Sequence, residues 1–268
     1  MKGIEVRDLD FTKWHGTGND FILVDDREGG FPKSDLDLVR LLCDRHFGIG
    51  SDGLILLQRS GVDGVSFHME FFNPDGSKSF CGNGSRCAFA FWRALTGEDK
   101  ARFSAIDGFH DGRWVDRRVS VSLTFEGQVE RAVDGPDVDH LNNGSPHELV
   151  WVMDPASVDV ALEGRERRHA ARYAPEGTNV NFVRVRSGAI TMRTFERGVE
   201  AETLSCGTGV VAAALSALDR EMVTSPVPVH TMGGDLSVLA ERLPDGTFRN
   251  IHLIGPATEV FSGTFVIR

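Results

Sequence analysis

The segments "SFCGNGSRCAFAF", from Ser79, and "SCGTGVVAAALSA", from Ser205, align in one frame. Cys81 falls on Cys206, Gly82 on Gly207, Gly84 on Gly209 and Ala88 on Ala213. The chain has only 4 cysteines in 268 residues, and two of them share a local context of glycine, polar residue, glycine and apolar helix. This length suits two halves of about 130 residues. The likeness extends outward. Phe72-Asn73 ends the strand before Cys81 and Phe195-Glu196 the strand before Cys206, while "GTGNDF" (16–21) faintly echoes "GTNVNF" (177–182). An internally repeated chain of this kind predicts an α/β (α+β) fold of two pseudosymmetric domains, each a curved mixed sheet around one central helix. The stretch "GQVERAVDG" (127–135) marks the boundary, giving halves of 1–130 and 131–257.

Apolar periodicity and turn residues place the elements. "KSDLDLVRLLCDRHFG" predicts a helix capped by Ser34 and stopped by Gly48, with Leu36, Val39, Leu42 and Cys43 on one face. "GNGSRCAFAFWRALTG" and "GTGVVAAALSALDRE" predict the two central helices, the first ended by Gly97. "DFILVDD", "LILLQ", "VSFHMEFF", "RFSAI", "GRWV", "RRVSVSLTF" and "ELVWVM" read as strands, and "NVNFVRVR" with "AITMRTFE" as a hairpin. "SVDVALEGRERRHAARY" reads as helical, its Arg/Glu run a solvated face.

Composition narrows the function. A net charge of −10 repels phosphate backbones and anionic lipid, so neither nucleic acid nor a membrane is expected as a partner. No apolar run approaches the roughly 18 residues of a membrane span, and "MKGIEVRDLDFTKWHG" lacks the apolar core of a signal peptide. Four cysteines are too few for a disulfide scaffold and form no C-x-x-C pair, so no metal site is expected and a cytoplasmic setting is. "FGIGSDG" spells G-x-G-x-x-G from Gly48 to Gly53, but a helix precedes it and a strand follows. That is the reverse of a dinucleotide site.

Each Cys-Gly-x-Gly lies just ahead of a helix, where unpaired N–H groups and the positive end of the helix dipole point outward. A thiolate is stabilised there, and cysteine pKa values at such positions fall to roughly 3.5–7.5. Glycine lets a ligand approach the backbone, so the same N–H groups can hold a carboxylate. Two such halves facing each other suit the inversion of a carbon acid. One thiolate removes the α-proton, a thiol on the other face delivers one, and the N–H groups stabilise the charge that spreads into the carboxylate. By analogy with oxyanion holes, such donors are worth about 3–4 kcal/mol each. No cofactor is required. A lone cysteine is more often a small apolar core residue, which is the reading for Cys43 and Cys87; Cys81 and Cys206 gain their functional reading from the shared frame. His147, Asn19, Asn73, Asn179 and the pair Glu196-Arg197 are weak signals singly, but each sits at a strand end or turn of the repeat. An arginine, several amides and a carboxylate would suit a substrate with both carboxylate and ammonium groups.

The segments "FTKWHGTGNDFILVD", "DRHFGIGSDGLILL", "FFNPDGSKSFCGNGSRC", "NNGSPHELV", "GTNVNFV", "TFERGVEAETLSCGTG" and "IGPATEVFSG" together resemble the diaminopimelate epimerase family over nearly the whole chain. The resemblance implies a cofactor-independent epimerase of LL- and meso-2,6-diaminopimelate, in lysine and peptidoglycan-precursor biosynthesis, working as a homodimer. It also implies that the last strand, about 258–268, returns to the first half. It makes Cys81 and Cys206 the acid and base, and Gly82-Asn83 and Gly207-Thr208 the holders of the reacting carboxylate. Asn19, Asn73, Asn179 and Arg197 would bind the distal end, while His147 and Glu196 would position the amino group or tune the thiols. Two positions depart from the family pattern. Gly53 stands where many members have glutamine and is left out of the site; Ser145 stands where many have asparagine and is kept, because its hydroxyl can still bond. Three rival readings compete: a proline or hydroxyproline racemase on the same fold, a hydrolase using one cysteine with His147, and a thiol redox or binding module.

Overall fold

The structure, a computed structural model, describes residues 7–125 and 127–267. The first six residues, where a leader would begin, and Arg268 lie outside the described residues. The chain divides into two compact units, one of residues 1–16, 20–119 and 257–268 and the other of 17–19 and 120–256. The division thus falls between Val119 and Ser120, ahead of 130. The reason is the strand β7 (Arg118–Leu123), whose later residues already pack with the second unit. Ser120 Oγ lies 3.3 Å from His252 Nδ1, and Leu123 packs on the second core.

The first unit is a mixed sheet in the order β16 (Thr258–Ile267), β1 (Arg7–Gly16), β2 (Asn19–Asp25), β3 (Leu54–Gln58), β4 (Phe67–Phe72), β5 (Lys100–Ala105) and β6 (Gly108–Val115). Strand pairs alternate along it: β2–β3 parallel, β3–β4 antiparallel, β4–β5 parallel, β5–β6 antiparallel. Each parallel step needs a crossover, and the two crossovers carry α1 (Leu36–Cys43) and α2 (Gly82–Thr96). The second unit repeats the scheme. From β8 (Val138–Asn142) the sheet runs through β9 (Pro146–Trp151), β10 (Asn179–Arg186), β11 (Ala189–Glu196), β13 (Val227–Thr231), β14 (Gly234–Arg242) and β15 (Phe248–Gly255), with β12 (Ala201–Thr203) against β11. Here β9–β10 is parallel, β10–β11 antiparallel, β11–β13 parallel and β13–β14 antiparallel. Its crossovers carry α3 (Val160–Arg168) and α4 (Gly207–Asp219). The shared cysteine frame is therefore the second crossover of each unit, so the two halves repeat in topology as well as in sequence.

The cores differ in material. In the first unit, bulky aromatics fill the space beside α2: Phe67 stacks on Phe103 at 4.9 Å and on Trp92 at 5.8 Å. In the second, the middle of α4 is apolar on every side, and Val210 through Leu215 are all buried. Such a helix is stable only inside a protein, and here β-branched and leucine side chains from β10, β11, β13, β14 and β15 enclose it.

Three expectations need correction. The first helix is capped by Asp35, whose carboxylate accepts from Leu38 N at 3.0 Å, not by Ser34, and it ends at Cys43 because Asp44 turns back to accept from His46 N and Phe47 N. The long helix of 157–173 is α3 alone, flanked by single 3-10 turns at Pro155–Ser157 and Ala171–Tyr173. Its arginines are not a merely solvated face either. Arg167 donates to the buried Glu148 at 2.8 Å, and Arg168 to Glu200 at 3.0 Å.

Candidate active site

Both frame cysteines are N-cap residues with extended backbones: Cys81 at φ −133°, ψ 112° ahead of α2, and Cys206 at φ −110°, ψ 112° ahead of α4. An N-cap must leave the helical region before the first turn begins. The glycine that follows each lets the first turn of backbone N–H groups stay uncovered by side chains.

In the first unit, Gly84 N donates to the Cys81 sulfur at 3.4 Å. Asn83 is buried in the same turn. Behind them Arg86 is wholly buried, and burial pushes its guanidinium down to about 10 against the opposing pull of the Cys87 and Cys81 thiols. It fits because position 16 is glycine: a Cβ there would stand 2.9 Å from Arg86 Nη2. The ring of Phe80 stacks on His110 at 4.6 Å. Asn73 belongs to the turn leading to the cysteine, where its amide donates to Ser77 Oγ at 3.0 Å and Ser79 Oγ at 3.2 Å.

In the second unit the structure brings together two groups of the expected residues. One surrounds Asn179, whose amide donates to Ser145 Oγ at 2.8 Å and Pro146 O at 2.9 Å while its carbonyl accepts from Arg197 N at 2.9 Å. Asn179 thus clamps the 145–146 turn to the start of the loop after β11. The Arg197 guanidinium makes no ion pair among the described residues. The other group ends at the second cysteine. Its sulfur lies 3.5 Å from Thr208 Oγ1, which lies 3.0 Å from His147 Nε2. His147 is fully buried, and burial, with smaller contributions from His140 and Arg197, drives its pKa down to about 3. The imidazole is therefore neutral. Its Nδ1 meets the amide of Asn181 at 3.2 Å. Glu196 accepts from Thr203 Oγ1 at 2.8 Å at the end of β11.

Asn19 opens β2, yet by its contacts it goes with the second unit. Residues 17–19 lie against Leu204 and Gly233: a Cβ on Gly233 would fall 1.8 Å from Thr17 O, so only glycine permits the approach. Gly53 has a steric cause. A Cβ there would meet the Phe71 ring at 2.3 Å, so the ring occupies the space a longer side chain would take. Of the remaining glycines in "FGIGSDG", Gly48 and Gly50 close the C-terminal end of α1, a Cβ on Gly48 falling 1.8 Å from Leu41 O, and no helix follows them. Cys43 and Cys87 are core residues; burial raises both thiols, that of Cys87 to about 12.

Two residues of these surroundings went unread in the sequence. Arg86 is a wholly buried charge immediately ahead of the apolar run "CAFAFW" of α2. Asn181 lies two residues past Asn179 on one strand, hence on the same face, and two polar residues at that spacing in a buried strand mark a site.

A family model described as diaminopimelate epimerase matches residues 11–108 and 140–247. A diaminopimelate epimerase of Flavobacterium psychrophilum is 41% identical over 256 residues, covering 94% of this chain and 98% of its own. One of Aquifex aeolicus is 40% identical over 278 residues, covering 95% and 97%. Among solved structures, a phenazine biosynthesis protein of the PhzF family from Bacillus anthracis matches with a TM-score of 0.75 at 12% identity, over 98% of this chain and 99% of that one. A hydroxyproline epimerase from Agrobacterium vitis matches with a TM-score of 0.66 at 15% identity, over 97% and 93%. At such identities the two structures show a common fold.

Proposed function

The chain belongs to the diaminopimelate epimerase family, and on that premise we propose that it interconverts LL- and meso-2,6-diaminopimelate by a two-base mechanism, with Cys81 and Cys206 as the acid and the base. The reaction serves lysine and peptidoglycan-precursor biosynthesis. The observation that carries the reading is the repeated N-cap: each cysteine sulfur sits at the start of a glycine-lined helical turn.

One thiolate takes the α-proton, breaking C–H and forming S–H, and the electron pair spreads into the α-carboxylate. The other thiol gives its proton to the opposite face of the carbon, so the two cysteines end each turnover with their protonation exchanged. N–H groups of Gly82-Asn83 and Gly207-Thr208 hold the carboxylate and stabilise its developing charge, the term that dominates such reactions. Asn19, Asn73 and the Arg197 guanidinium bind the distal end. Asn179 already spends both amide hydrogens on Ser145 and Pro146, so it and Ser145 serve by fixing the Arg197 backbone, with one carbonyl lone pair left for ligand. Glu196 positions the amino group, and the neutral His147 tunes Cys206 through Thr208. No cofactor takes part. No helix of the described residues is long and apolar enough to cross a membrane, and the same reading sets a homodimer in the cytoplasm.

The test is reduced protein with LL-diaminopimelate in D₂O, followed by NMR. Loss of the α-proton with appearance of the meso isomer is expected, and Cys81→Ala or Cys206→Ala should each abolish it while leaving the far-UV circular dichroism unchanged. Exchange of proline or 4-hydroxyproline instead would sink the substrate, and full turnover by either alanine variant would sink the mechanism.

A further inference from the structure

The hydrogen-bond chain behind Cys206 has a direction that its acceptors determine. It begins at Asn181, wholly buried on β10. The Asn181 amide nitrogen lies 3.0 Å from Glu148 O, a carbonyl that can only accept, and its oxygen lies 3.0 Å from Thr194 Oγ1. This settles which end of the amide is NH₂. The same NH₂ group faces His147 Nδ1 at 3.2 Å, so Nδ1 must be an acceptor. In the neutral ring the proton then resides on Nε2, and Nε2–H donates to Thr208 Oγ1. With that lone pair engaged, the Thr208 hydroxyl hydrogen is left to point at the Cys206 sulfur.

We propose that Asn181 is a positioning residue which fixes the direction of the chain His147–Thr208–Cys206, so that the threonine hydroxyl donates to the sulfur and stabilises it as the thiolate. The inference rests on the role given to Cys206 above, and it adds a residue that touches neither substrate nor sulfur. It also explains Gly209. A Cβ there would lie 2.5 Å from Asn181 Oδ1 and 3.4 Å from the Cys206 sulfur, so the helix leaves room for the amide. When Cys206 carries its proton, the line to Thr208 is already occupied by the hydroxyl hydrogen, and the S–H bond is turned toward other acceptors. In the first unit a backbone N–H, that of Gly84, reaches the cysteine sulfur.

The titratable and charged groups on the elements about His147 are His140 on β8, Glu148 on β9, Glu196 and Arg197 at the end of β11, and Cys206. Glu148 turns its carboxylate to Arg167 and the Tyr173 hydroxyl, and Glu196 turns its own to Thr203. Neither holds a carboxylate on His147 Nδ1 that would favour the other tautomer.

Two measurements on the full chain test this without turnover. In histidine labelled with ¹⁵N, long-range correlation spectra report the tautomer directly, and the His147 signal is identified by its loss in His147→Gln. A neutral ring protonated on Nε2 between about pH 5 and 8 is expected; protonation on Nδ1, or titration near the unperturbed value of about 6.5, overturns the proposal. In a Cys81→Ala background, the pH midpoint for alkylation of Cys206 by iodoacetamide should rise by about one unit in Asn181→Leu, a tenfold loss of thiolate at lower pH. An unmoved midpoint in folded Asn181→Leu overturns the proposal equally. Isomer exchange in D₂O judges the epimerase reading separately: an active enzyme with an Nδ1–H ring would sink only the present inference, and an inactive one with an Nε2–H ring only the former.

Discussion

Gly84 and Gly209 occupy the same place in the two repeats, and alanine should behave differently at each. A Cβ at Gly84 would meet Ile55 Cδ1 at 3.2 Å, Cys81 Cβ at 3.3 Å and Met69 Cε at 3.4 Å, two of which are ends of flexible side chains. At Gly209 it would meet Asn181 Oδ1 at 2.5 Å, and that amide cannot retreat, being held by Glu148, Thr194 and His147. Alanine gains up to about 1 kcal/mol over glycine in a helix, while forced overpacking of a core costs about 1–3 kcal/mol. Gly84→Ala should therefore be close to neutral, and Gly209→Ala should lose about 1–2 kcal/mol net, since the clash outweighs the helix gain. For a chain of this size that is a drop in Tm of about 2–8 °C. Differential scanning calorimetry of the two variants beside the parent decides it. Equal Tm values for the two alanines would refute the claim that the buried amide is rigidly held.

Gly53→Gln should destabilise by about 2–3 kcal/mol, because its Cβ enters the Phe71 ring. Combining it with Phe71→Leu should show a favourable coupling of at least about 1 kcal/mol in a double-mutant cycle by urea unfolding. His147 has a folded pKa near 3, below the 6.5 of the unfolded ring. The unfolded state thus binds the proton first, and stability contributed by the neutral ring is lost as pH falls below 6.5, by up to about 1.4 kcal/mol per unit. His147→Gln should flatten the stability profile between about pH 6.5 and 5, where carboxylates contribute little. Because burial raises the thiols of Cys43 and Cys87, iodoacetamide at about pH 8 should label neither in the folded protein and both in urea, as peptide mass spectrometry would show.

Much of the fold was legible because its strongest signals are local. The apolar run of α4 and the αL glycine that ends α2, Gly97 at φ 78°, are each written within a few residues. The cysteine frame reached further, since two copies of one pattern imply two copies of one crossover. What stayed hidden depends on contacts distant in sequence. Nothing near residue 17 announces that it will lie against Gly233, so a boundary at 130 puts Asn19 in the first half, whereas its contacts place it with the second unit. Arg167 looks like a solvent-facing helix residue until Glu148 is placed beside it. The choice of Asp35 over Ser34 as cap turned on a single residue of register, which a periodicity does not resolve. Asn181 escaped the sequence reading because its polarity is satisfied inside a strand rather than displayed at an end.

The pairing of β16 with β1 runs from Arg7 opposite Ile267 to His15 opposite Thr258. During synthesis, the first unit is thus still missing an outer strand after every residue of the second, through Pro256, has been made. The N-terminal part usually folds first on the ribosome, but here the first unit cannot complete its sheet until the strand made after Pro256 is available. Until its last strand arrives, β1 presents an open edge of the kind that recruits unwanted strands.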